Sequence, residues 1–156
     1  DLAGSAARVA SAAAGFGSEI DIFVELPYAP GWQAAVELVE AAGLYGKLAA
    51  EQVEPRRTAE QLSILIEADL PFKITTGSSG GGLAVLAATE ALIDGASLDD
   101  ASELIQSADN DQLQPLLSAW GQETQSRIRR RIRRLGSDRL VDLINDYAAA
   151  GQPRDS

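Results

Sequence analysis

Two lysines and one carboxylate are the side chains most able to do chemistry in this chain: Lys47, Lys73 and Glu25. Each sits in a short run rich in β-branched or aromatic residues, the composition of a strand. Alternate side chains of a strand face opposite sides. In Ile20–Leu26 one side takes Ile20, Ile22, Val24 and Leu26, and the other takes Asp21, Phe23 and Glu25. In Phe72–Thr75, Phe72 and Ile74 oppose Lys73 and Thr75; in Leu44–Ala49, Lys47 falls with Tyr45 and Ala49. With the apolar faces under helices, Glu25, Lys47, Lys73 and Thr75 form one polar cluster near strand ends. A lysine desolvated there, or set beside a second cation, gives up its proton more readily and can form a Schiff base with a carbonyl. Glu25 would then move protons or neutralise a lysine. The plainer reading of the same residues is an ion pair within the sheet, with no catalysis.

The lysine strand runs into Thr75, Thr76, Gly77, Ser78, Ser79, Gly80, Gly81 and Gly82, ahead of an apolar helix predicted over Leu83–Ile93. A glycine-rich turn at a helix N-terminus presents backbone N–H groups to an anion, usually a phosphate. These eight residues are the candidate anion cradle. Their spacing fits neither the Gly-Lys-Ser/Thr end of a Walker loop nor the dinucleotide Gly-x-Gly-x-x-Gly pattern. A flexible connection, even an introduced linker, is the competing reading of Gly77–Gly82.

Composition narrows the chemistry. The 156 residues contain no histidine and no cysteine, which removes the usual general base, thiolate chemistry and the commonest metal ligands. Neither a metal nor a cofactor is expected. The net charge of −10 opposes approach to nucleic acid or to an anionic membrane surface. No apolar run reaches membrane-spanning length and the opening residues do not resemble a signal peptide, so a cytoplasmic location is expected. The absence of methionine suits a processed, excised or engineered chain.

The elements that must position these residues follow from periodicity. Residues 1–18, dominated by alanine, glycine and serine, read as a flexible or short helical lead-in. Residues 19–96 read as a βα-repeat core: strand Ile20–Leu26, helix Gly31–Ala42, strand Leu44–Ala49, helix Ala59–Ala68 capped by Thr58, the lysine strand, and its helix. Trp32, Phe72 and Trp120 are assigned to the core. Beyond Gly95 no strand is predicted. Residues 97–151 read as a helical C-terminal region, with helices Leu98–Ser107 (capped by Ser97), Asp111–Trp120, Glu123–Leu135 and Asp138–Ala149, then a tail over 152–156. Arg-Ile-Arg alternation leaves a strand open for Arg127–Arg134, but Ile128, Ile132 and Leu135 fall at helical spacing. The fold class is α/β: a partial, half βα barrel or a small parallel sheet with a helical C-terminal region. A half-barrel exposes sheet edges and an apolar rim, which favours a homo-oligomer or a complementary half-domain.

Arg127, Arg130, Arg131 and Arg134 belong to a basic cluster in an acidic chain. They could dock an acidic partner. A solvated face paired with the chain's own carboxylates is the simpler outcome.

Two resemblances bear on these residues. The strand Phe72-Lys73-Ile74-Thr75-Thr76-Gly77 resembles the Schiff-base strand of deoxyribose-phosphate aldolases. Over Ile20 to Gly151 the order of motifs is similar to an uncharacterised bacterial family with a barrel-like βα core. That family carries Val-Glu-Leu/Val-Pro, Gly-Leu-x-x-Lys and Leu/Val-Pro-Phe-Lys-Ala-Thr-Ala-Gly. Here Val24-Glu25-Leu26-Pro27, Gly43-Leu44-Tyr45-Gly46-Lys47 and Leu70-Pro71-Phe72-Lys73-Ile74-Thr75-Thr76-Gly77 match in sequence. The chain departs from it at Ser78-Ser79, where the family has a His-His pair, and at Leu135-Gly136-Ser137, where a cysteine follows in the family. The family's chains are longer, so this sequence corresponds to a C-terminal half. The family resemblance implies a barrel-like fold and candidate positions more than an activity. The aldolase-strand resemblance, with the lysine chemistry above, makes a lyase of the class I aldolase kind, acting on a small phosphorylated or carboxylated carbonyl compound, the expected function. Lys73, Glu25 and Lys47 would be its site. A non-catalytic assembly subunit, docking through the arginines, is the alternative.

Overall fold

The computed structural model describes residues 1–16, 19–50, 53–77, 79–107 and 109–137. Helix α1 (Leu2–Ala13) precedes strand β1 (Phe23–Glu25), helix α2 (Trp32–Ala41), strand β2 (Tyr45–Ala49), helix α3 (Pro55–Glu67), strand β3 (Phe72–Thr76) and helix α4 (Ser79–Ile93). Helices α5 (Leu98–Ser107), α6 (Asn110–Ser118) and α7 (Gln122–Arg131) follow, and α7 runs directly into strand β4 (Ile132–Ser137).

The four strands are all parallel and lie in the order β1-β2-β3-β4. Parallel strands taken in chain order require every crossover to step the same way. Because such crossovers are right-handed, the helices that link these strands fall on one face of the sheet. That is the winding of a βα barrel, and not of a doubly wound sheet, whose strand order reverses. Burial follows suit. Val24, Leu48, Phe72, Ile74 and Ile132 are buried on the helix side. Phe23, Tyr45, Lys47, Lys73 and Thr75 are half-buried on the other. The fold is α/β, a four-stranded parallel sheet that fits a partial βα barrel or a small parallel sheet, with one sheet face uncovered by the described residues.

The core lies between sheet and helices, where Val36, Val39, Leu62, Leu65, Val85 and Ala88 pack on the strand side chains. Helix α4 is apolar around its circumference because it is also covered on its outer side, where Ala84 and Ala87 meet Leu113 of α6. Its buried Thr89 hydroxyl donates to the Val85 carbonyl at 2.7 Å, so no polar group is stranded there. Gly43 and Gly95 follow α2 and α4 with φ of 67° and 91°, left-handed positions that favour glycine after a helix. Ser97 and Asp100 cap α5 reciprocally, each backbone N–H donating to the other's side chain at 3.1 Å.

Four sequence expectations are corrected. Helix α3 starts at Pro55, whose missing N–H costs nothing in the first turn. Thr58 is therefore inside the helix, its hydroxyl donating to the Glu54 carbonyl at 3.2 Å, and not its cap. Helix α4 starts at Ser79, so Gly80, Gly81 and Gly82 are helical. The packing of its long apolar stretch outweighs their low helix propensity. The strand predicted over Ile20–Leu26 shortens to Phe23–Glu25, leaving Ile20 58% exposed.

The fourth correction is the largest. Residues 132–137 are a strand, so the helix predicted over Glu123–Leu135 stops at Arg131 and the 97–151 region is not purely helical. Phe72 pairs with Ile132, but Lys73 pairs with Arg134, leaving Arg133 as an extra residue in a bulge. The bulge places Ile132 and Leu135 on one face at a spacing of three, which imitates a helix. In the lead-in, Leu2–Ala13 is helical and buries Ala6. The helix predicted over Asp138–Ala149 lies outside the described residues.

Candidate functional site

The parallel register sets Glu25 beside Lys47, Lys47 beside Lys73 and Lys73 beside Arg134. One row of charge therefore crosses all four strands on the open face, three cations against one carboxylate. Lys47 Nζ donates to Glu25 Oε2 at 2.5 Å, with the two side chains 29% and 53% exposed. One row below, Phe23 and Tyr45 pair across β1 and β2 with ring centroids 5.2 Å apart. These rings hold the remaining cations. Lys73 Nζ stands 4.9 Å from the Phe23 centroid, and the Arg134 guanidinium 5.7 Å from the same ring. The Arg133 guanidinium lies 5.6 Å from the Tyr45 centroid. Attraction of a cation to a ring face operates at this range. One row above the charges are Ala49, Thr75 and Gly136, small residues that leave room over the row.

The end of β1 is tied down from beneath. The Leu26 carbonyl accepts from the Trp32 indole N–H at 2.8 Å and from the Gln61 amide at 3.3 Å. Both donors are buried, so Glu25 projects from a fixed strand end. Beyond the carboxyl ends of β1 and β2 opens a cleft of about 260 Å³, lined in part by Glu25, Pro27, Tyr28, Ala49, Glu54 and Arg57. Ligands of βα barrels bind at this end of the strands.

Strand phase was a good guide to Glu25, Lys47, Lys73 and Thr75, which share the open face. The expected cradle is divided. Thr76 is turned to the helix side and is 3% exposed, Gly77 follows the strand, and Ser79–Gly82 form the first turn of α4. Ser78 lies outside the described residues. The residues that reasoning passed over are Phe23, Tyr45 and Arg133. Strand phase puts Phe23 and Tyr45 on the same face as Glu25 and Lys47, but gives no signal that their rings receive the cations of β3 and β4.

The four arginines do not make one surface. Arg127 bonds Asp94 at 2.8 Å and Glu90 at 3.5 Å, and Arg131 pairs with Asp69. Arg134 belongs to the open sheet face, 4.0 Å from Asp21. Arg127, Arg130 and Arg131 line a cleft of about 460 Å³ with Asp69, Pro71 and Ile93, at the opposite end of the sheet from Glu25.

Outside the row, the carboxyls of Glu90 and Asp100 are shifted from their ordinary values. Burial, then the charge of Asp94 and a hydrogen bond with it, raise Glu90, while Arg127 works the other way. Hydrogen bonds from the Ser97 hydroxyl and backbone lower Asp100. Among the described residues no group of three or more carboxylate, histidine or cysteine side chains is placed to hold a metal ion. No helix among them is long and apolar enough to cross a membrane.

The fold and the site together are a parallel α/β sheet with a cationic row on the face that the described residues leave uncovered. No protein-family model, curated protein or solved structure matches the chain.

Proposed function

We propose that this half-barrel is a lyase-like domain of the class I aldolase kind, binding a small phosphorylated or carboxylated carbonyl compound on its open face. The observation that carries the reading is the register that sets Glu25, Lys47 and Lys73 side by side. In an acidic chain, this row gathers an excess of cations, which suits an anionic ligand. The resemblance of the β3 segment to the Schiff-base strand of deoxyribose-phosphate aldolases supports the same residue.

Lys73 Nζ, as the free amine, adds to the carbonyl carbon, and loss of water leaves an iminium. Loss of the β-hydroxyl proton to Glu25 breaks the Cα–Cβ bond, releases the β fragment as an aldehyde and sends the electron pair into the enamine. Protonation of the enamine and hydrolysis then return the lysine. Glu25 is the group for proton transfer, and Lys47, already bonded to Glu25, sets its charge. Thr75 and the first turn of α4, over Ser79–Gly82, stand toward the carboxyl ends of the strands, where the ligand's anionic group would lie.

The test is a thermal-shift screen against phosphate, sulfate, sugar phosphates and small keto acids, followed by borohydride trapping read by mass spectrometry. Lys73→Met is run beside the parent. A ligand at a hundred times its Kd stabilises by roughly 2.7 kcal/mol. Stabilisation and a trapped adduct in the parent alone support the reading. A well-folded parent that responds to no anion and traps no carbonyl overturns it, and the assembly subunit becomes the better account.

A further inference from the structure

The open face and the two free strand edges belong to one unfinished object. Within the described residues β1 and β4 are the edges of the sheet, and no helix covers the face between them. In a parallel ladder a residue directs both its N–H and its C=O to the same side. Ile22 and Leu26 bond β2, through the Tyr45 N–H and the Lys47 carbonyl. Phe23 and Glu25 therefore direct their backbone groups outward, toward a missing neighbour. Unpaired edges of this kind recruit another strand.

The two edges carry opposite charge. Asp21 and Glu25 lie just before and at the end of β1, and Arg133 and Arg134 lie in β4. Within one chain Asp21 is already 4.0 Å from Arg134 and Glu25 is bonded to Lys47, so a seam would exchange or add to these pairs. Joining like edges would set carboxylates against carboxylates or arginines against arginines. Joining β4 to β1 of another copy sets arginines beside carboxylates and keeps the strands parallel. Done twice about a two-fold axis, it makes eight parallel strands, the number at which a βα barrel closes with its interior filled by side chains. Exposed apolar groups flank the acidic edge. Ile20 is 58% exposed, and it lines a cleft of about 500 Å³ with Ala10, Ala13, Ile22 and Leu44 at the start of β1.

We infer that a second copy of this chain docks on the open face, β4 against β1 at two equivalent seams, and closes an eight-stranded barrel around the Lys73 row. Each seam brings Glu25 of one copy toward Arg134 of the other. The row that is cationic in one chain gains a second carboxylate at its open end, and the Lys73 amine is enclosed from water. The inference stands on topology and edge charge, and it completes the site proposed above without depending on its chemistry.

A charge-swap experiment in sedimentation equilibrium tests this. The parent should run at twice its chain mass of 16.4 kDa. The variants Arg133→Glu with Arg134→Glu, and Asp21→Lys with Glu25→Lys, should each be folded by circular dichroism. Each should dimerise roughly a hundredfold more weakly than the parent, because like charges then meet at both seams. Mixed together, they should recover a one-to-one dimer, since every seam again joins opposite charges. A parent that stays monomeric, or a dimer indifferent to both reversals, overturns the inference and leaves the face to a non-identical half. A monomer that still shows Lys73-dependent anion stabilisation fails the closed barrel while sparing the proposed site. A charge-dependent dimer with no anion response does the reverse.

Discussion

The Lys73 ammonium stands 4.9 Å from the centroid of the Phe23 ring, although the two residues belong to strands separated by β2. The ring attracts Lys73 and Arg134 together, and Tyr45 packs against its side. Phe23 is thus the common anchor for the cations of β3 and β4. Replacing it with leucine keeps an apolar side chain but removes the π face. Phe23→Leu should cost about 1–2 kcal/mol, at 0.5–1 for each partly exposed cation–ring contact. Urea unfolding measures this, and the slope should be unchanged. A midpoint equal to the parent's would mean that the cations are held by solvent and neighbouring charges instead.

Gly46 interrupts β2, and its role is close packing. A Cβ built there would lie 3.3 Å from Phe72 Cβ and 3.5 Å from both Leu65 Cδ2 and Leu70 Cδ2. All three neighbours are fully buried. Phe72 Cβ sits next to the backbone and gives little. Gly46→Ala should destabilise by about 1–3 kcal/mol, the usual range for overpacking a dense core. Gly46→Val should be worse. Thermal unfolding of the two variants checks the order, and an alanine variant as stable as the parent would show that β2 can move away from β3.

Glu90 makes stability depend on pH. Its carboxyl is held above its ordinary value of 4.5, first by burial and then by Asp94. The folded state therefore binds this proton more tightly than the unfolded chain does. Its contribution is fully present below the ordinary value and is lost as pH rises through the raised one. Glu90→Gln imitates the protonated form while Arg127 keeps Asp94 at 2.8 Å. The Tm of Glu90→Gln minus that of the parent should grow from pH 4 to pH 7. Taking the difference cancels the carboxylates that do not interact with Glu90; Asp94, which does, remains in it. A flat difference would mean that Arg127 fully offsets burial at Glu90.

Much of this was legible before any coordinates, for physical reasons that can be traced. The strands carrying Glu25, Lys47 and Lys73 alternate cleanly, because one face is buried and the other open, and that contrast writes a period of two into the sequence. The closed row could not be read, because register across strands is set by tertiary pairing and not by local pattern. The glycines at 80–82 misled because propensity speaks for the isolated segment, whereas α4 gains its stability from burial. Thr58 has the right chemistry for a cap, but Pro55 and Glu54 had already begun the helix. Phe23 and Tyr45 were visible in phase with the charges, yet nothing local shows that a ring two strands away will receive Lys73.

The bulge in β4 leads to a prediction that runs against intuition. Ile132 and Leu135 both face the helix side, paired with Phe72 and Ile74, while Arg134 pairs with Lys73 on the open side. Arg133 is the surplus residue, and its guanidinium lies over the Tyr45 ring face, a contact worth about 0.5–1 kcal/mol at an exposed site. Deleting Arg133 leaves isoleucine, arginine and leucine in plain alternation, with both apolar side chains still inward. The deletion should therefore cost no more than about 1 kcal/mol beyond the lost ring contact, since a regular strand replaces a bulged one. Inserting one alanine after Arg134 should do the opposite. It turns Leu135 to the open face and Gly136 to the helix side. Because Leu135 is only partly buried against the core, the cost should lie at or below the low end of the roughly 2–5 kcal/mol seen for buried leucines. Chemical denaturation of the two variants compares them directly. If the deletion is the more damaging of the pair, the bulge is itself required, and Arg133 is holding the open face in shape through Tyr45.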